Sequence, residues 1–112
     1  MSTSPVWKGA LMVIAMNQFG TSLSTRVSGR AAYERIVEAL ASTGVVVFDF
    51  DGVGSVTNSF ADEVFGRLVS ERGMDYLRSR TTFRNIPPFW ASVVRGAMEA
   101  REAQRRSALA AV

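Results

Sequence analysis

The chain has 112 residues, 47% of them hydrophobic and 21% charged, which suits one compact core and leaves no room for two domains or a disordered composition. It contains neither cysteine nor histidine, so cysteine nucleophiles, Ser-His-Asp triads, histidine phosphotransfer, disulfides and zinc sites built on those residues are excluded. Arginine dominates the basic residues and the net charge is +3, so an anionic partner has to be weighed.

Residues Met1 to Ser4 read as a frayed terminus. The longest apolar run, Ala10 to Met16, is far short of the roughly 18 to 20 residues that span a bilayer. Polar Asn17 and Gln18 follow it where a signal peptide would want small residues, so Leu11 to Met16 is expected to be a buried first strand. Gly20 to Arg26 is polar and suits a short strand or turn. From Ser28 to about Ser42, Tyr33, Ile36, Val37 and Leu40 recur at helical steps, with Arg30 and Glu34 paired on the other face. Gly44 stops that helix, and the run Val45 to Phe50 reads as a central strand covered on both faces.

Gly52, Gly54 and Ser55 make a turn. A second helix is expected to begin near Ser59, with Ala61, Val64, Phe65, Leu68 and Val69 inward and Glu63, Arg67 and Glu71 along its wet side, and to end at Gly73. Thr81 to Asn85 suits a strand. Pro87-Pro88 opens a third helix that turns Trp90, Val93, Val94, Ala97 and Met98 inward and carries Arg101, Arg105 and Arg106 on its outer face. The expectation is one α/β domain over residues 1–112, with a core over about 10–102 and flexible ends at 1–9 and 107–112. It should be a small layer fold of about three helices on a mainly parallel or mixed sheet of about four strands.

Two charged regions stand apart: Asp49, Asp51, Asp62 and Glu63 form an acidic stretch, and Arg67, Arg72, Arg78, Arg80 and Arg84 form a basic one. The arginines suit a solvated face with internal ion pairs, and nucleic-acid binding is the alternative. The string Asp49-Phe50-Asp51-Gly52 resembles the first motif of haloacid-dehalogenase-type phosphatases, whose two aspartates hold magnesium and attack a phosphoryl group. Downstream, the sequence offers neither a lysine nor a second acidic pair to complete such a site. Ser59, feeding a helix, suits an N-cap worth about 1 kcal/mol. A phosphate there would meet the helix's positive end beside Asp62 and Glu63, the arrangement of an electrostatic switch.

Arg26, the strand Val47 to Phe50, the stretch Asn58-Ser59-Phe60-Ala61-Asp62-Glu63 with Phe65, and then Gly73 and Asn85 together resemble the STAS-like domain family, related to anti-sigma-factor antagonists. The resemblance implies a non-enzymatic, cofactor-free, cytoplasmic module that docks a partner protein, such as a GHKL-type ATPase and serine kinase. Ser59 then matches the phosphorylated serine of the antagonists. Asp51, Thr57, Asn58, Phe60, Asp62 and Glu63 join it as the partner surface, with Phe60 either a core plug or an exposed anchor. Arg26, Asp49, Phe50, Phe65, Gly73 and Asn85 are implied to be structural. This chain reads Thr57-Asn58-Ser59-Phe60 where the antagonists carry Asp-Ser-Ser/Thr-Gly. A homodimer through the third helix or an open sheet edge is a further option.

Overall fold

β-Branched and aromatic residues prefer a pleated, covered surface, and Val45–Asp49 (β3) takes the middle of a three-stranded parallel sheet. The computed structural model describes residues 10–111. Leu11–Ala15 (β1) flanks β3 on one side, with Ile14 level with Phe48. Thr81–Arg84 (β5) flanks it on the other, with Phe83 level with the same phenylalanine. A separate parallel pair, Ser22–Leu23 (β2) with Ser55–Val56 (β4), lies between those strands and the helices that follow them.

Four helices accompany the strands. Arg26–Ser42 (α1) is capped by Thr25, whose Oγ1 accepts from the Ser28 N–H at 3.0 Å. Residues 58–72 form α2, which is α-helical over Asn58–Ala61, widens to a π-helical turn over Asp62–Gly66 and closes as α-helix over Arg67–Arg72. Met74–Arg80 (α3) leads into β5, and Pro88–Ala110 (α4) packs along α2. The core lies between the sheet and these helices. Phe48, Phe50, Phe60, Phe65, Ile14 and Leu68 are all but sealed from water, each contributing about 1.5–3 kcal/mol by transfer. Phe65 meets Phe48 edge-on at 5.1 Å between ring centres and Phe83 at 5.4 Å, so α2 is keyed to the sheet by aromatic contact.

The mixed layer architecture is as expected, with differences that have physical reasons. The expected sheet of about four strands is instead a three-stranded sheet plus the two-stranded pair. A fourth helix, α3, occupies Met74–Arg80, where the polar run gave no apolar period beyond Met74 and Leu77. β1 is an edge strand. Only alternate residues enter the core, and Leu11 and Val13 remain 58% and 41% exposed on the other face. α4 continues as helix through Ala110, into the segment expected to be a loose end, while the expected end at 1–9 lies outside the described residues. Arg30 and Glu34 do not pair with each other; on that helix Arg35 pairs with Glu38 at 3.3 Å.

Truncating Phe65 should leave a void at the centre of the aromatic cluster. Urea unfolding of Phe65→Ala is expected to show a loss of about 3–5 kcal/mol, with the midpoint moving and the slope unchanged.

Candidate functional site

β1 and β3 are parallel, so the turns after them emerge at the same pole, the carboxyl ends of the strands, where α/β sheets commonly place their sites. There the β2–β4 pair aligns the starts of two helices. Ser22 stands opposite Ser55 with their hydroxyl oxygens 2.9 Å apart, and the Thr57 N–H donates to the Leu23 carbonyl at 3.0 Å. Thr25 then caps α1 and Thr57 caps α2, the Thr57 Oγ1 accepting from the Phe60 N–H at 3.2 Å. The cap of α2 is therefore Thr57 and not Ser59. Phe60 must enter the core, so the helix has to begin before it, and a capping threonine three residues ahead of Phe60 is the signal that locates the start.

Ser59 is the second residue of α2. It is exposed, and its hydroxyl makes no hydrogen bond to any described residue. Thr57 and Asn58, just before it, and Asp51, in the turn after β3, are exposed as well. Phe60, weighed between plug and anchor, is a core plug with no exposed surface, so it cannot touch a partner directly.

Asp62 and Glu63 are half-buried and already engaged. Arg101 of α4 grips Asp62 through both oxygens, at 2.7 and 2.9 Å, and donates to the Ser70 hydroxyl at 2.8 Å. The pairing with Asp62 raises the pKa of Arg101. Arg101 therefore faces inward, contrary to the outer face expected for it, because α4 crosses α2 where the carboxylate waits. Arg26 of α1 reaches Glu63 at 3.3 Å, and Arg67 approaches the same carboxylate at 3.6 Å. The π-helical turn thus presents two neighbouring acids to different partners, one on each flanking helix.

Asp49 closes the β5 end of this pole. Its Oδ1 accepts from the Asn85 amide and the Asp51 N–H, both at 3.0 Å, and its Oδ2 from Arg84 at 3.0 Å. The Asn85 bond first, then the backbone and Arg84 bonds, hold its pKa at about 2. Asn85 itself sits at φ 58°, a conformation asparagine tolerates well. Both Asp49 oxygens thus serve to pin the turn after β5. Among the described residues, no group of three acids stands where a metal ion could be held. Phe50 and Phe65 are buried, and Gly73 takes φ 86° between α2 and α3, where a Cβ would lie 3.0 Å from the Arg105 guanidinium.

Most of the basic stretch is bonded within the molecule, Arg67 and Arg84 to carboxylates and Arg72 and Arg80 to uncharged groups. Arg67 lies 3.9 Å from the centre of the Tyr33 ring and also pairs with Glu71, which accepts the Tyr33 hydroxyl. Arg72 donates to the Tyr76 hydroxyl at 3.2 Å. Arg80 caps the far end of α1 by donating to the carbonyls of Leu40, Thr43 and Gly44.

Two measurements follow from this geometry. Replacing a helical glycine by alanine usually stabilises by up to about 1 kcal/mol. At Gly66, however, the new Cβ would lie 2.7 Å from the Asp62 Oδ1 that Arg101 holds and 3.0 Å from Arg101 Cγ. Gly66→Ala is expected to destabilise by about 1–3 kcal/mol in thermal or urea unfolding. For Asp49, a folded pKa below the ordinary value means that its contribution to stability is complete above about pH 4 and is lost as pH falls towards about 2. Asp49→Asn should be less stable at neutral pH and should show a flatter stability profile across that acid window, read by chemical denaturation at a series of pH values.

No curated protein and no solved structure matches this chain. A family model described as a STAS-like domain of unknown function (DUF4325) matches residues 28–88, which run from the first turn of α1 through β5 to the start of α4. That span is more than half the chain and holds the parallel β3–β5 pair, α2 with Ser59, and the Asp49–Asn85 fastening, so the chain belongs to the family of STAS-like domains.

Proposed function

We propose that this STAS-like domain is a regulatory module without catalysis of its own, which docks a partner protein through the loop and helix start around Ser59 and is switched by phosphorylation of that serine. The observation that carries the reading is the exposed Ser59 hydroxyl, unbonded to any described residue in the first turn of α2. A phosphoryl group there would lie at the positive end of the helix, and the acids that follow in sequence are already matched by Arg101 and Arg26. Modification would add nearly two negative charges beside the small polar groups of Asn58 and Thr57, enough to change which partner fits. A GHKL-type ATPase acting as serine kinase is the partner class, by resemblance to the anti-sigma-factor antagonists.

Incubating the protein with ATP and a GHKL-type ATPase encoded beside it, followed by intact mass spectrometry, should show one added phosphate on the wild type and none on Ser59→Ala. The modified form should bind the ATPase at least about tenfold more weakly, since a new buried charge at an interface costs more than 1.4 kcal/mol. Binding that is equal for both forms would remove the switch, and no binding at all would remove the docking surface.

A further inference from the structure

Away from the Ser59 pole, a groove of about 390 Å³ opens between α3, β5 and α4. Its walls are apolar, with Met74, Phe83, Ile86, Val94 and Met98 lining it, and methionines let such a surface adapt to what it holds. Its volume falls within the range of small-molecule sites. Two arginines reach it from opposite walls, Arg78 from α3 and Arg95 from α4. Neighbouring arginines are spent on internal partners, but no described residue gives Arg78 or Arg95 an ion pair. Glu99 also lines the groove and is likewise unpaired, so the site carries one surplus positive charge beside buried-type apolar surface.

We propose that this groove binds a small anionic amphiphile: a carboxylate on a short apolar chain, with the chain against Phe83, Ile86 and Met98 and the head between Arg78 and Arg95. Each part of the site is needed for that selection. The apolar walls favour dehydrating the chain, the guanidinium fork matches a carboxylate in shape and charge, and the two arginines outweigh the single Glu99 carboxylate. A cationic amphiphile of the same length would leave both arginines unpaired and add like charge. The site shares no residue with the Ser59 surface, so the two proposals fail or stand separately.

The test is a two-dimensional amide NMR titration of the full ¹⁵N-labelled chain with octanoate and, in parallel, octylammonium. Octanoate is expected to shift the amides of Phe83, Ile86, Ala91, Val94 and Arg95, and octylammonium at the same concentration to leave them in place. Arg95→Glu should weaken octanoate by about tenfold, as loss of a charge-assisted hydrogen bond does, and should not alter the dispersion of the remaining spectrum. Ala91→Trp, which fills the groove while keeping both arginines, should abolish the octanoate shifts, and Ser59→Ala should titrate as wild type. Equal shifts from the two amphiphiles, octanoate shifts confined to the Leu11 and Val13 face, or an unchanged affinity in Arg95→Glu would each overturn the proposal.

Discussion

α2 has to meet two demands at once, and the rest of the molecule is arranged around how it does so. Phe60, Ala61, Val64 and Phe65 must enter the core within six residues, while Asp62 and Glu63, lying among them, cannot give up water without a partner. The helix widens by one residue over Asp62–Gly66, and each carboxylate meets an arginine from a different neighbour, Arg101 of α4 and Arg26 of α1. The outer pair is well exposed on the Arg26 side and contributes little energy; the bidentate Asp62–Arg101 pair sets where α4 crosses. With both flanks fixed, the first turn of α2 is held still while Ser59 faces solvent.

Much of this was legible in the sequence because periodicity and punctuation act locally. The β-branched run at Val45, the helical stripe ending at Gly73 and the paired prolines ahead of α4 each specify their element without reference to the rest of the chain. What escaped depends on pairing at a distance. Nothing near Arg101 in the sequence says that its face is inward, since the partner is an aspartate on another helix. Serine and threonine are both acceptable caps, so the sequence alone points as readily to Ser59, and only the burial of Phe60 moves the helix start back to Thr57. α3 escaped because seven residues carry too little period, and its Arg78 and Arg80 read as part of a charged flank.

Composition alone overstated the free positive charge. An arginine-rich chain with net +3 suggests a polyanion surface, yet Arg67, Arg72, Arg80, Arg84 and Arg101 act as struts between elements, binding carboxylates, tyrosines and helix-end carbonyls. Arginine serves this purpose better than lysine because its planar group can bond several acceptors while stacking on an aromatic ring, and Arg67 lies over Tyr33. Asp49 belongs to the same scheme, fastening β3 to the turn after β5.

Among the described residues, every strand pairing joins residues 33 to 35 positions apart, as Ser22 with Ser55 and Asp49 with Arg84, and none is a hairpin. No strand can therefore find its neighbour until a whole intervening helix has been made, and β3 has both neighbours only when β5 is available. On the ribosome, the nascent domain must remain without a completed sheet until nearly its last helix is being synthesised. Chain-closure entropy therefore weighs on the rate at which it folds more than on the depth of the final well.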